Sequence, residues 1–398
     1  MRDQNRSNGQ RELSREHPAA IRALPGIIAV TNMKRRDFLS SGIAAGIATP
    51  IFGALRTEQF VAAGEVLDKA TSGGQVSAAV LHVVRKDESF SRYFGAAKSS
   101  DSMFLLGSIS KPICVTALMT LFDQGEFQLD DPAKKFLPKF TGDGRERITM
   151  GDLMTHVSGL PDQLPENDAL RRGHADLNQF VDRATQTPLL FAPRTRYSYS
   201  SMAILLATYV AELISGTNIR DLVEKTVFAP LQMQHSAQGL GRFQLSDFVP
   251  CQTEFAAPEA GAGDPTAKEW DWNSPYWRGL GAPWGGTHAS AIDVGRFLSE
   301  FLHEQGRVLK PETARMMVRN HNAAELTPRG LGFNVGAAAG SRGCSAETFG
   351  HTGSTGTLAW ADRSTETICV VLTSLPGRAV DPHPRDLAGA AVISALQK

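Results

Sequence analysis

Phe104-Leu105-Leu106-Gly107-Ser108-Ile109-Ser110-Lys111-Pro112 joins an apolar lead-in to the start of a helix. From Ile113 to Phe122 apolar residues recur at helical spacing, and Gly125 supplies the stop. Pro112 lacks an N–H and belongs in a first helical turn, so the helix begins at about Ser108. Side chains three apart share a helix face, which sets Lys111 one turn above the Ser108 hydroxyl. A serine is a poor nucleophile until a neighbouring base takes its proton. A lysine serves as that base once burial or nearby cations lower its pKa. The positive end of the helix dipole also favours an oxyanion developing there. Outside such a setting an S-x-x-K tetrad is an ordinary polar helix start, of which about one or two arise by chance in a chain of this length.

Two further segments carry groups suited to the same chemistry. Tyr199-Ser200-Ser201 follows Pro193-Arg194-Thr195-Arg196-Tyr197-Ser198, at the mouth of a predicted helix from Met202 to Ile214. A tyrosine on such a loop relays protons between nucleophile, leaving group and solvent. Taken alone it is equally a packed aromatic beside a helix cap. His351-Thr352-Gly353-Ser354 follows Phe349-Gly350. Glycines let a strand approach a bound substrate closely, and the Ser354 N–H can pair with that of Ser108 as an oxyanion hole. Taken alone this segment is also an ordinary turn with a surface histidine.

Outward from these segments, the pattern predicts strands, a helical block, strands, then a helix. Val76 to Val84 reads as a strand, with Ser89 to Phe94 paired to it across a polar turn. Helical periodicity covers Met150 to Met154, Leu177 to Arg183, Met202 to Ile214, Ile219 to Val227 and Ala289 to Phe301. Thr357 to Ala361 and Thr367 to Thr373 form a hairpin about Asp362 to Glu366, and Asp386 to Leu396 closes as a helix. This order predicts an α+β fold: an antiparallel sheet from both chain ends, flanked by helices, with an inserted all-helical subdomain. The cleft between the two parts is the expected small-molecule site. Ala256 to Asp271, rich in Gly, Pro and Ala, is expected to be a long surface loop.

The chain has 398 residues, with 41 basic and 41 acidic side chains and 42% hydrophobic residues. That length buries a sizeable core, and the absence of net charge argues against non-specific nucleic-acid binding. Cys114, Cys251, Cys344 and Cys369 are too scattered for a zinc site or a disulfide framework and read as buried small hydrophobes. There is no phosphate loop and no G-x-G-x-x-G turn. There is no H-E-x-x-H, since His303-Glu304 has no second histidine in register, and no G-x-S-x-G elbow. Kinases, dinucleotide oxidoreductases and zinc peptidases thus recede, and neither a metal nor a cofactor is expected.

Residues 1–32 are a polar extension without a sustained apolar period. Met33-Lys34-Arg35-Arg36-Asp37-Phe38-Leu39 then places paired arginines before an uncharged stretch from Phe38 to Leu55. A charged segment followed by a short apolar one describes an export signal, and the arginine pair before Phe-Leu resembles the twin-arginine type. The alternatives are a short membrane anchor or a buried helix, but the stretch is shorter than a span of about 20 residues. The expected organisation is a polar extension at 1–32, with Met33 as an alternative start, a signal at 33–55, and one folded domain at 56–398. The mature protein is expected to be periplasmic or secreted, touching membrane only through a retained signal.

Taken together, the tetrad, the tyrosine loop and the His-Thr-Gly segment resemble the serine β-lactamase and penicillin-recognising superfamily. The similarity is greatest to the class C β-lactamase branch, with its D-alanyl-D-alanine carboxypeptidases, D-aminopeptidases and family VIII carboxylesterases. Leu153-Met154-Thr155-His156-Val157-Ser158-Gly159-Leu160-Pro161 resembles that branch's "LLTHTSGL" stretch. Gly285-Gly286-Thr287 with Asp293-Val294-Gly295-Arg296-Phe297-Leu298 resembles its "GG…S…D…RFL" segment. The resemblance implies Ser108 as acylated nucleophile, with Lys111 and Tyr199 sharing the general acid/base role and Tyr197 as the fallback. It implies Ser201, His351, Thr352, Gly353 and Ser354 as residues that line the substrate and oxyanion site.

Two departures stand out. Ser201 replaces the branch's asparagine in Tyr-x-Asn, and His351 stands where true lactamases carry lysine. Histidine is mostly neutral near pH 7, so it offers a β-lactam carboxylate little, and His351→Lys is expected to improve that binding. The implied activity is an exported serine hydrolase acting on an ester or a D-amino-acid amide. The alternatives are a β-lactamase, and a catalytically silent protein that recognises a cell-wall peptide. The partner is accordingly a small-molecule ester, peptide or β-lactam substrate.

Overall fold

The computed structural model describes residues 58–86 and 88–397. The polar extension and the twin-arginine segment lie outside the described residues.

Among the described residues nine strands carry the fold: β1 (Ala78–Arg85), β2 (Glu88–Gly95), β3 (Phe104–Leu105), β4 (Ser236–Gln238), β5 (Thr287–Ala289), β6 (Asn334–Val335), β7 (Thr348–Gly353), β8 (Thr357–Asp362) and β9 (Thr367–Thr373). Six form one antiparallel sheet in the order β2-β1-β9-β8-β7-β6. The two ends of the chain meet at its centre, where Val80 faces Leu372 and Val83 faces Cys369. β1 and β9 are mostly apolar, as strands covered on both faces are, with His82 the buried polar exception on β1. Side chains alternate: Ala78, Val80, Val370 and Leu372 enter the larger core, while Leu81, Val83, Cys369 and Val371 enter a second core behind the sheet.

The helices are α1 (Val61–Ser72), α2 (Ser110–Asp123), α3 (Met150–Met154), α4 (Asn167–Arg172), α5 (Leu177–Gln186), α6 (Ser201–Ser215), α7 (Ile219–Val223), α8 (Pro275–Leu280), α9 (Ala291–Leu302), α10 (Pro311–Met317) and α11 (Pro384–Leu396). α1 and α11 supply the second core through Phe60 before α1, Ala63, Leu67, Val392 and Ile393. α2, α6 and α9 fill the larger one, with α2 buried from Ser110 to Leu121. Side-chain caps fix several starts. Thr149 and Asp152 form a reciprocal capping box at α3, and Ser200 Oγ accepts from the Ala203 N–H at α6.

The predicted α+β architecture is present, with two differences. The insert between β2 and β6 also holds a small antiparallel sheet, β3-β5-β4, whose strands of two or three residues show no period. The segment from Ala256 to Asp271 is not a free surface loop: Ala256, Ala260, Ala267 and Trp270 are buried. It folds as successive 3-10 turns, at Pro258–Ala260 and Ala267–Glu269. The four cysteines are buried and unpaired.

Candidate active site

Ser108 sits in a 3-10 turn, Gly107–Ile109, that runs directly into α2. Thr287 frames this turn: its carbonyl accepts from the Leu106 N–H at 2.8 Å, and its N–H donates to Ser110 Oγ at 2.9 Å. β7 crosses the same turn at close range. A Cβ on Gly353 would lie 2.1 Å from the Leu106 carbonyl oxygen. Gly107 has φ +57°, and a Cβ there would meet Ser354 N at 3.1 Å. Glycine at both positions lets the Ser354 backbone stand beside the Ser108 turn. Thr355 and Thr357 clamp the crossing, donating to the Leu105 and Leu106 carbonyls at 2.6 and 2.7 Å.

Lys111 is fully buried, and its Nζ donates to Ser108 Oγ at 3.0 Å and to the Trp284 carbonyl at 2.9 Å. Burial pushes its pKa down to about 7; Asp162 opposes that shift and Arg329 adds to it. A neutral lysine on the serine hydroxyl is a base poised for proton transfer near neutral pH.

Tyr199 closes the triangle. Burial holds its pKa well above the usual phenol range, against the opposing pull of Arg329 and of the neighbouring Ser108 side chain. Lys111 Nζ lies 4.7 Å from its ring centroid. His156 fixes the loop on both sides of this tyrosine: its carbonyl accepts from the Ser198 N–H at 3.0 Å and its Nδ1 from the Ser200 N–H at 3.2 Å. Tyr197 stands edge-on to the same histidine at 6.1 Å and does not line the cavity.

Ser201 opens α6. Its N–H and Oγ both donate to Asp162 Oδ1, at 2.9 and 2.6 Å. The hydroxyl proton in the place of the family's asparagine is therefore committed to a carboxylate. Asp162 directly follows Gly159-Leu160-Pro161, which is the only sign of it in the sequence.

His351 takes a different place from the one expected. Its ring is buried, Nδ1 donates to the Thr352 carbonyl at 2.7 Å, and Nε2 accepts from Arg329 at 2.8 Å. A carbonyl only accepts and a guanidinium only donates, so these partners define a neutral tautomer. Burial, then Arg329 and Lys111, hold its pKa well below the usual range. Both nitrogens are taken, so His351 faces protein and not substrate.

The groups converge on a cavity of about 720 Å³ of empty space. Ser108, Tyr199, Ser201 and Ser354 line it; His351, Thr352 and Gly353 are not among its lining residues, and Gly353 is the point at which β7 meets the Ser108 turn. Its far wall includes Trp272 and Trp277, with Asp162, Glu259 and Arg171 as charged lining residues, while Trp284, whose carbonyl accepts from Lys111, lines it beside the floor. Arg171 is buried between Trp277 and Trp270, 4.0 and 5.4 Å from their ring centroids, and donates to the Glu259 carbonyl at 2.6 Å. The sequence showed none of Arg171, Arg329 or the tryptophan wall as a site, since nothing local marks them.

The chain is similar to esterase EstB of Burkholderia gladioli, 29% identical over 340 residues that cover 74% of this chain and 83% of that protein. It is 30% identical to penicillin-binding protein 4 of Amycolatopsis lactamdurans over 276 residues, 67% of each chain. Among solved structures, D-amino acid amidase from Ochrobactrum anthropi shares the fold, with a TM-score of 0.68 at 20% identity over 85% of this chain and 98% of its own. A family model described as beta-lactamase matches residues 58–393. With that match across the described fold, the chain belongs to the beta-lactamase family and is a serine hydrolase of that kind.

Proposed function

We propose that this protein is an exported hydrolase that forms an acyl-enzyme on Ser108 and acts on small esters or D-amino-acid amides. The observation that carries the reading is Lys111 Nζ, 3.0 Å from Ser108 Oγ, with a pKa near 7 in a fully buried site. Neutral Lys111 takes the Ser108 proton as Oγ attacks the substrate carbonyl carbon. The N–H groups of Ser108 and Ser354 receive the oxyanion. The proton returns through Lys111 and Tyr199 to the departing alkoxide or amine, and water then releases the acyl group by the same route in reverse.

Esters are the preferred substrates. Asp162 and Glu259 are the acidic residues that line the cavity, while its one lining arginine, Arg171, is already engaged with the Glu259 carbonyl and the tryptophans. His351 has no free N–H for a substrate carboxylate. An uncharged acyl group against three tryptophans fits this lining better than an anionic β-lactam does. Export rests on the paired arginines and apolar stretch of residues 33–55.

The test is mass spectrometry after a fluorophosphonate, with turnover of p-nitrophenyl butyrate compared against nitrocefin. The adduct is expected on Ser108 and the ester is expected to have the higher kcat/KM. An adduct on Ser110 or Ser354 with Ser108 unmodified rejects the nucleophile. Nitrocefin turnover at or above the ester rate rejects the esterase reading in favour of a β-lactamase.

A further inference from the structure

Arg329 is buried at 2% exposure behind the catalytic tyrosine. Its Cζ lies 5.5 Å from the Tyr199 ring centroid, the ring that Lys111 Nζ also approaches. One arm donates to His351 Nε2 at 2.8 Å and to the Gly332 carbonyl at 3.3 Å; the other donates to Asn334 Oδ1. Its main chain is tied down too: the N–H donates to Asn320 Oδ1 and the carbonyl accepts from the His321 N–H, both at 2.9 Å. Among the described residues it pairs with no carboxylate. A buried guanidinium without a counter-ion is costly to the fold, and an apolar side chain would fill that space without the cost. The charge itself therefore needs an explanation.

We propose that Arg329 is a positioning residue of this active site: through His351 and the Tyr199 ring it supplies the fixed cation whose field governs proton exchange among Lys111, Tyr199 and Ser108. The proposal rests on Lys111 being the base. Around Lys111 the ionisable groups are Cys114 on its own helix, His156 and Asp162 on the segment after α3, Tyr199, His351 and Arg329. Burial keeps the Cys114 thiol and both histidines uncharged. That leaves Asp162 and Arg329 as the charges acting on Lys111, in opposite senses. Asp162 favours the ammonium; Arg329 favours the free amine and the phenolate of Tyr199. His351 is the mechanical part of the device: as a neutral acceptor it holds the guanidinium against the strand that crosses the nucleophile turn.

The experiment is the pH dependence of kcat/KM for a p-nitrophenyl ester in wild type, Arg329→Gln, Arg329→Lys and Asn334→Asp. Arg329→Gln removes the cation and is expected to move the acid limb up by about one pH unit, lowering activity below that limb about tenfold. Arg329→Lys keeps a cation and is expected to stay within a few tenths of a unit of wild type. Asn334→Asp is isosteric and places a carboxylate on the guanidinium, so it tests the field without emptying the site. It is expected to move the limb in the same direction by a smaller step, with KM changed less than kcat. An unmoved limb in Asn334→Asp overturns the proposal even if Arg329→Gln fails to fold, as does a limb in Arg329→Lys that follows the glutamine variant. Lys111→Ala, run alongside, separates the two claims: if it keeps wild-type rates the base assignment fails, whereas an unmoved limb with an inactive Lys111→Ala fails Arg329 alone.

Discussion

The floor and the far wall of the cavity are built by opposite means. The floor holds Ser108, Lys111 and Tyr199 where a helix start, a strand crossing and a capped helix meet, and it is fixed by backbone contacts that only glycine permits at Gly107 and Gly353. The wall from Ala256 to Trp272 has 3-10 turns and no sheet, and it is held by side chains reaching across from α4. A floor of this kind fixes reacting atoms to the fraction of an ångström that catalysis needs. A wall hung on a few side chains is free to differ between relatives without touching the chemistry. Substitutions in the floor are thus expected to cost rate, and substitutions in the wall to change which substrate is held.

The largest effects are expected on the floor. Lys111→Ala and Tyr199→Phe are each expected to lower kcat by about 10²–10⁴-fold with a smaller change in KM, because a proton-transfer group acts in the transition state. Tyr197→Phe is expected to stay near wild type, and loss there with retention in Tyr199→Phe would exchange their roles. The pH profile follows from the same lysine. Its pKa is lowered to about 7, so the amine is protonated below that value and free above it. Activity is therefore expected to rise with pH through about 7. An acid limb near pH 4 or 5 would point to a carboxylate as the base.

What could be read from the sequence follows the same division. Ser108 and Lys111 were legible because a proline and an apolar period mark a helix start around them. β1 and β9 were legible because strands buried on both faces are runs of β-branched residues. The wall was not: Gly, Pro and Ala in 256–271 look like solvent-facing loop, and only the contacts of Trp270 and Arg171 show otherwise. α1 and the β3-β5-β4 strands were also missed, the first for a weak apolar face and the second for shortness. His351 was legible as part of the site but not in its role. The residue that decides its role, Arg329, is a neighbour only in space.

That neighbour reverses one expectation and gives the next largest effect. A lysine at His351 was expected to help a β-lactam carboxylate. With Arg329 at 2.8 Å from the ring nitrogen, His351→Lys instead sets two cations together in a buried place. It is expected to destabilise the fold by about 3 kcal/mol or more, seen as a fall in Tm, with no gain in nitrocefin turnover. A stable variant with tighter β-lactam binding would show that the floor tolerates a second charge and is less rigid than its packing implies.

On the wall the effects shrink and change kind. Arg171 is buried and bonded to the Glu259 carbonyl at 2.6 Å, and a charged hydrogen bond is worth about 1.5–3 kcal/mol. Arg171→Met is expected to raise KM for a bulky aryl ester about tenfold while kcat stays within about twofold. A matching fall in kcat would mean that the wall reaches the reacting atoms after all.

The smallest effect is expected one residue further on. Arg172 also reaches the wall: it is ion-paired with Asp264, donates to Thr266 Oγ1 at 3.0 Å, and lies 5.0 Å from the Trp270 ring centroid. Its geometry looks as good as that of Arg171, but its side chain is 47% exposed. Water solvates both partners when the pair opens, and salt screens what remains. Asp264 does not depend on it, because the Thr266 N–H and hydroxyl both donate to its Oδ1, at 2.7 and 2.8 Å. Arg172→Ala is therefore expected to change KM by no more than about twofold, and any change is expected to vanish in high salt. Steady-state kinetics of the two arginine variants, with the same aryl ester at low and high ionic strength, make the comparison. Equal effects at the two positions would mean that the wall is held by charge at its surface and not by the buried guanidinium between the tryptophans.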